Sequence, residues 1–171
     1  MKRNRKVFLL LAFAGLLLLL NGCKENNVLI ICPIPNENNV KHLDMHRVCN
    51  SYKLAAEDMI KEKSDKGSFK NIKLVFLNQS EGVDKELKKE GMAALDKYLN
   101  VHNAKIAIYS EIIQPYNDVD YFYCKTHLYI VSSGVRTHQS KKILMGEETF
   151  YAHEFWKSEF RDIFSKLVGV I

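Results

Sequence analysis

Val28-Leu29-Ile30-Ile31-Cys32 is an uninterrupted apolar run with polar or turn-forming residues on both sides. The polar segment 24–27 precedes it, and Pro33, Pro35 and the asparagine-rich segment 36–39 follow it. A short apolar run bounded by such residues is typical of a buried strand. The sequence therefore predicts that the folded part of the chain begins with a strand at 28–32, which a loop then ends.

Helical and extended patterns alternate after this strand. In chain order we predict a helix at 43–63, a strand at 72–77, a helix at 84–100, strands at 104–109, 119–132 and 143–150, and a helix at 153–168. The polar segment 133–142 is expected to connect the last two strands. The order β-α-β-α-β-β-β-α predicts one α/β domain over residues 28–171, with a mixed sheet and helices packed on it.

The strand at 119–132 carries side chains of two kinds in alternation. Phe122, Cys124, Thr126, Leu128 and Ile130 share one side, which we expect to be the better buried. The other side holds Tyr121, Tyr123, Lys125, His127 and Tyr129. Tyrosine is enriched at binding surfaces, so we predict that Tyr121, Tyr123 and Tyr129 contact a partner. The alternative is that this side lies beneath a helix.

The first residues of the chain have the pattern of a secretory signal peptide over residues 1–22. Four basic side chains lie within residues 2–6, and an apolar run of 14 residues follows at 7–20. That run is shorter than the roughly 20 residues that a membrane-spanning helix needs. We therefore expect a cleaved leader and no membrane-spanning helix.

Leu20-Asn21-Gly22-Cys23 resembles the lipobox of bacterial lipoproteins, although Asn21 departs from the usual small residue at its position. The resemblance implies cleavage between Gly22 and Cys23, a thioether-linked diacylglycerol on Cys23, and acylation of the new amino terminus, for example with palmitate. Several acyl chains together anchor a protein stably in a lipid bilayer. The alternative is a plain signal peptide followed by a chance cysteine.

The residue after Cys23 bears on localisation. In the enteric-type sorting rule for lipoproteins, an aspartate at this position retains the protein in the inner membrane, and this chain has Lys24. The resemblance thus implies the outer membrane, facing the periplasm or the cell surface. Residues 23–27 form a short tether that spans at most about 15 Å, so the folded domain is expected close to the bilayer.

Charge gives no reason to expect a nucleic-acid partner. Residues 1–22 hold four basic and no acidic side chains, so removing them leaves 149 residues and lowers the formal net charge from +5 to +1. The remaining lysine-rich stretches are typical of solvated surfaces. We expect no nucleic acid partner.

His42, His46 and Cys49 have the spacing i, i+4 and i+7, which places their side chains along one flank of a helix. All three are acceptable zinc or copper ligands. They are weak candidates because no HExxH pattern and no fourth ligand accompany them. The alternative is a surface histidine pair beside a core cysteine.

The other three cysteines of the mature chain, Cys32, Cys49 and Cys124, allow at most one internal disulfide. The alternative is that they are small apolar core residues. No nucleophile elbow or phosphate-binding glycine loop occurs in the sequence. We therefore predict a protein that is not an enzyme and has no cofactor besides the covalent lipid, with an envelope hydrolase or a metal-binding lipoprotein as the alternative.

The order of elements resembles the α/β domain shared by the TolB amino-terminal region, the penicillin-binding-protein activator LpoB and the curli secretion lipoprotein CsgG. Residues 103–112 occupy the place where those families have a Gly-Ala-Asp strand that ends in Gly-Ser. The resemblance implies a protein-binding module, or a subunit of an envelope or secretion complex. The partner is then another envelope or surface protein.

Overall fold

The structure, a computed structural model, describes residues 26–35, 43–65, 69, 71–78, 82–114, 121–132 and 135–167. The strands are β1 (Asn26–Pro35), β2 (Ile72–Leu77), β3 (Ala104–Ile113), β4 (Tyr121–Ser132) and β5 (Val135–Gly146). The helices are α1 (Met45–Asp65), α2 (Val83–Glu90), α3 (Met92–Val101), α4 (Glu147–Tyr151) and α5 (His153–Leu167).

The five strands form one mixed sheet in the order β2-β1-β3-β4-β5. β1 is parallel to both β2 and β3, whereas β4 is antiparallel to β3 and β5. The apolar run at 28–32 therefore lies inside the sheet, where β2 and β3 pair with the backbone N–H and C=O groups on both of its edges. The predicted α/β class, with a mixed sheet and helices packed on it, is confirmed.

Helices cover both faces of the sheet. On the first face, α1 and α5 pack over Val28 and Ile30, and Trp156 of α5 is fully buried against Tyr52 of α1 at 4.9 Å between ring centroids. The indole Nε1–H of Trp156 donates to the carbonyl of Phe150 at 2.8 Å. On the second face, α2 and α3 pack over the intervening residues of β1 and β3. Because β1 is buried on both faces, its sequence is apolar without alternation.

The predicted helix at 84–100 is two helices in the structure. Gly91 adopts φ 56° and ψ −124°, outside the helical region, and separates α2 from α3. Glycine tolerates a positive φ without a Cβ clash, so the break occurs at this residue. The prediction of a single helix was therefore wrong at this position.

The last strand also differs from the prediction. β5 begins at Val135 and ends at Gly146, so the segment 133–142 is mostly strand, and Phe150 belongs to the short helix α4. Residues 137–142 are exposed whichever side of the sheet they face. A strand exposed on both faces has no apolar alternation, and sequence periodicity cannot reveal it.

Residues 1–25 are outside the described part of the chain, so the predicted leader, the cleavage site and Cys23 lie there too. Across the described ranges, no helix has the length and apolar character needed to cross a membrane.

Candidate functional site

The second face of the sheet is exposed toward one corner, where β4 and β5 lie beyond the helices. We call this surface the open face and define it by Tyr121, Tyr123, Lys125, Lys142 and Leu144. Tyr121 is 58% exposed and Leu144 is 54% exposed, although both are large apolar or aromatic side chains. The antiparallel register places Tyr123 opposite Leu144 and Lys125 opposite Lys142. Side chains from two strands therefore form one continuous patch.

The electrostatics of the open face are positive. Lys142 Nζ lies 3.7 Å from the centroid of the Tyr123 ring, which is a cation–π contact. Lys125 and Lys142 are directly opposed cross-strand neighbours, and like charges in that arrangement destabilise a sheet. The patch therefore combines aromatic surface with the cation of Lys142, whereas Lys125 also lies opposite Glu111 on β3.

Tyr129 shares the strand side of Tyr121 and Tyr123 but lies beneath α3. It is only 1% exposed, and its hydroxyl donates to Oδ1 of Asp96 at 3.0 Å. The predicted tyrosine face is thus partly open and partly covered by a helix. Tyr121 and Tyr123 are accessible to a partner, whereas Tyr129 packs in the core of the second face.

A hydrogen-bonded chain of three polar residues crosses β3, β4 and β5 beside the open face. His127 Nε2 lies 3.0 Å from Oε2 of Glu111, and His127 Nδ1 lies 2.8 Å from Nε2 of His138. His127 is 3% exposed, and the Tyr109 ring stacks on its imidazole at 4.3 Å between centroids. The chain leads from a half-buried carboxylate through a buried ring to an exposed one.

The protonation states in this chain follow from the hydrogen bonds. The bond from His127, with the positive charge of Lys125 as a further contribution, lowers the pKa of Glu111 below its ordinary value. An ionised Glu111 can only accept, so the Nε2–H of His127 donates to it, which leaves Nδ1 of His127 facing His138. Burial, followed by the neighbouring His127 and Lys125, lowers the pKa of His138. The polar chain therefore joins a carboxylate with a lowered pKa, Glu111, to an imidazole with a lowered pKa, His138.

A cavity of about 400 Å³ lies at the carboxyl ends of β1 and β3. Its volume falls in the range of about 300–1,000 Å³ that is common for ligand pockets. The strand order is β2-β1-β3, so the chain leaves β1 for β2 on one side and then crosses to β3 on the other side. The strand order therefore reverses at β1, and the crevice at the carboxyl end of the strands at such a reversal often binds ligands. The cavity is lined by Ile34, Leu87, Lys88, Gly91, Met92, Tyr109 and Glu111. Glu111 thus belongs to both the cavity and the polar chain.

Only two of the three weak metal-site candidates, His46 and Cys49, lie in the described part of the chain, both on α1. His42 lies outside the described residues. His46 is exposed, and its Nδ1 lies 3.3 Å from Nδ2 of Asn50. In the part of the chain that the structure describes, no group of three His, Cys, Asp or Glu side chains is placed to hold a metal ion.

The three cysteines of the domain lie on the first face as free thiols. Cys32 and Cys124 are each 2% exposed, and Cys49 is half-buried next to Cys32. The hydrogen bond with Cys32, together with burial, raises the pKa of the Cys49 thiol. Burial also raises the pKa of Cys124, to about 12. The thiols of Cys49 and Cys124 are therefore poor nucleophiles, because the thiolate is the reactive form.

Sequence reasoning missed Glu111 and His138 as site residues. Glu111 follows the predicted strand 104–109, and His138 lies in the segment that was predicted to be a connection. The signal that identifies them is the strand register, which places Tyr109 opposite His127 and Glu111 opposite Lys125. That register could not be obtained without the correct bounds of β3 and β5.

No protein-family model and no curated protein matches this chain. Among solved structures, a PelC dodecamer from Paraburkholderia phytofirmans is similar at 9% identity and a TM-score of 0.37, over 78% of this chain and 86% of that one. The LpoB C-terminal domain from Salmonella enterica is similar at 15% identity and a TM-score of 0.36, over 73% of this chain and 86% of that one. At these values the likeness carries no conclusion about function.

Proposed function

We propose that this chain is a lipid-anchored lipoprotein of the bacterial envelope whose α/β domain binds another envelope or surface protein through the open face. The observation that carries the proposal is the patch of Tyr121, Tyr123 and Leu144 beside Lys125 and Lys142, on a part of the second face that the helices leave uncovered. Aromatic side chains are enriched in protein interfaces relative to the rest of the surface. The lipid anchor on Cys23 and the outer-membrane location rest on the sequence of residues 1–24.

The position of the open face suits a partner that approaches from the periplasm or the cell exterior. Cys23 precedes the first residue of β1 by three positions, so the Asn26 end of the sheet lies nearest the bilayer in this proposal. Tyr123 pairs with Ile113, nine residues along β3 from Ala104 at the Asn26 end, which corresponds to about 30 Å of strand. The open face therefore lies at the end of the sheet that is farther from the anchor.

We also propose that the chain does not turn over a substrate. The Glu111–His127–His138 chain is the feature that favours the alternative, an envelope hydrolase, because a carboxylate that orients an imidazole is a common acid–base arrangement. His127 is buried and stacked on Tyr109, so the imidazole that the carboxylate orients is itself shielded from a substrate. Hydrolysis of an ester, phosphate or peptidoglycan substrate that is lost in a His138→Gln variant would replace binding as the function.

Photo-crosslinking in intact cells tests the proposed interface. p-Benzoylphenylalanine is placed at position 121 or 144 on the open face, and at position 54 on α1 as a control. Leu54 is a matched control because its 55% exposure is close to that of Tyr121 and Leu144. The proposal expects the same protein adduct from positions 121 and 144 and no such adduct from position 54. Equal labelling from all three positions contradicts the open face as the interface.

Metabolic labelling tests the anchor independently. We expect labelled palmitate in the wild-type protein and loss of the label in a Cys23→Ser variant, which leaves the membrane fraction. An unlabelled wild-type protein, or equal labelling of the variant, contradicts lipidation at Cys23. Recovery of the labelled protein in the inner membrane contradicts the outer-membrane location.

A further inference from the structure

The strand β5 is the exposed edge of the sheet next to the open face. Among the described residues its only strand neighbour is β4, so the backbone N–H and C=O groups along its outer side have no strand partner. β5 is 12 residues long, twice the length of the opposite edge strand β2. A long free edge is a template for pairing with another chain.

Natural proteins usually protect such an edge with proline, with β-bulges or by making the strand short. β5 has the sequence VRTHQSKKILMG, which lacks proline, and its pairing with β4 continues from Val135 to Gly146 without a register shift. Its lysines are the remaining form of protection. Of these, Lys141 is directed to the first face, where its Nζ lies 3.0 Å from Oε1 of Glu159 and 3.1 Å from Oδ2 of Asp162.

The ion pairs of Lys141 also hold the edge in place. They join β5 to α5, and Met145 of the same strand is buried in the hydrophobic core on the first face. An edge that is fixed before binding loses little conformational freedom when a partner adds a strand. The edge is therefore preorganised for strand addition.

We propose that the partner adds an extended segment to β5 as a sixth, antiparallel strand, with a carboxylate beside Lys142 and an apolar side chain beside Leu144. The inference rests on the proposed function and states how the partner is bound. In strand addition, main-chain hydrogen bonds hold the peptide and alternate side chains give specificity. Antiparallel pairing is the more stable arrangement per residue.

The side chains of the open face determine the sequence of the added strand. Lys142 and Leu144 lie two residues apart on the same face, so their neighbours in the new strand are also two residues apart. An antiparallel strand passes Leu144 first and Lys142 second. The expected motif is an apolar or aromatic residue, any residue, and then aspartate or glutamate.

A second copy of this chain is disfavoured as the occupant. β5 has two lysines, Lys141 and Lys142, and no acidic residue. Antiparallel pairing of two β5 strands would bring these cations together, and like charges across a strand pair are destabilising. Charge complementarity therefore favours an acidic segment of a different protein.

Selection from a random dodecapeptide library on phage tests the motif, with the full-length lipidated protein in detergent micelles as the target. The expected result is enrichment of the apolar–any–acidic motif. In a Lys142→Glu variant, the enriched acidic residue should become lysine or arginine at the same position. Failure to enrich the motif, or the same motif with the Lys142→Glu variant, overturns the proposal.

Proline substitution distinguishes peptide binding at the edge of β5 from peptide binding on the open face. Consecutive residues of an edge strand direct their N–H groups alternately to the neighbouring strand and outward. Of Gln139→Pro and Ser140→Pro, one therefore disrupts pairing with β4 and lowers the melting temperature, while the other removes only an outward donor. The well-folded variant is expected to bind the selected peptide about tenfold more weakly or worse. Wild-type affinity in that variant overturns strand addition.

If neither proline variant folds, amide hydrogen exchange in the wild type decides the question. Strand addition slows exchange in residues 135–146 when the selected peptide is bound, and unchanged exchange there overturns the proposal. Peptide binding that the Tyr121→Ala/Tyr123→Ala pair abolishes but the folded proline variant retains means that the face is right and the edge is wrong. If the folded proline variant loses peptide binding and the tyrosine pair variant retains it, the result contradicts the open face as the binding surface but not strand addition to β5. A dimer that the proline variant converts to monomer makes a second copy the occupant.

Discussion

The ammonium group of Lys141 lies 3.0 Å from Oε1 of Glu159, which joins the edge strand β5 to the helix α5. Glu159 is 7% exposed, so its carboxylate depends on this partner. Lys142, the residue after Lys141, is directed to the opposite face of the sheet, over the Tyr123 ring. Two consecutive lysines therefore have different roles, one in stability and one in the proposed interface.

Replacing each of the two lysines should have a different effect on stability. Lys141→Met leaves the Glu159 carboxylate without its partner and should lower the free energy of unfolding by about 1–3 kcal/mol. Lys142→Met should change it by less than about 0.5 kcal/mol, as is usual for exposed positions. Urea denaturation of both variants measures the two values. Equal destabilisation contradicts the separate roles.

The second prediction concerns Tyr129, which lies beneath α3. Tyr129→Phe removes the hydrogen bond to Asp96 and should lower the free energy of unfolding by about 1 kcal/mol. The matched change Tyr121→Phe, at an exposed position, should have almost no effect. Thermal denaturation compares them, and a Tyr129→Phe protein as stable as the wild type contradicts a structural role for the Tyr129 hydroxyl.

The third prediction is the pH dependence that Glu111 gives the fold. Its pKa is lower in the folded state, so the stabilisation is fully present above the ordinary glutamate pKa of about 4.3 and is lost as the pH falls through the folded pKa. Glu111→Gln should be less stable than the wild type at pH 7, with the difference disappearing in acid.

Urea denaturation between pH 7 and pH 3 measures this difference. Glu148→Gln, at an exposed carboxylate on α4, is the control and should follow the wild-type curve. A Glu111→Gln deficit that stays constant over the whole range would mean that the ionisation of Glu111 contributes nothing to stability.

The fourth prediction concerns Gly91. A Cβ at this position meets no atom within 4 Å, so space is not limiting, but φ is +56°. Gly91→Ala should therefore lower the free energy of unfolding by about 1–2 kcal/mol through backbone strain alone. If the variant is instead more stable than the wild type, α2 and α3 can join as one helix and the break is not required by the fold.

The sequence was sufficient for the elements whose burial leaves a pattern. β1 is buried on both faces and has an apolar run, and β4 has one buried face and alternates, with Phe122 and Cys124 each 2% exposed. β5 left no pattern because its residues 137–142 are exposed on both sides. The break at Gly91 could not be foreseen because the apolar periodicity continues on either side of it.

The candidate site was predictable only in part. Tyr121 and Tyr123 were placed on one side by simple alternation, and the structure puts both on an accessible surface. Tyr129 is buried because α3 covers it. The alternation of residues within β4 gives no information about where α3 lies. The Glu111–His127–His138 chain draws one residue from each of three strands, so it required the register of the whole sheet.

The affinity of the crosslinked partner for defined variants measures directly whether the open face is the binding surface. Binding of the purified partner to full-length protein is measured for the wild type, for Tyr121→Ala/Tyr123→Ala, and for Leu54→Ala as a control of matched exposure. We predict a loss of affinity of at least about tenfold for the tyrosine pair, with an unchanged melting temperature, and no loss for Leu54→Ala. Wild-type affinity in a normally folded tyrosine pair variant would contradict the open face as the binding surface.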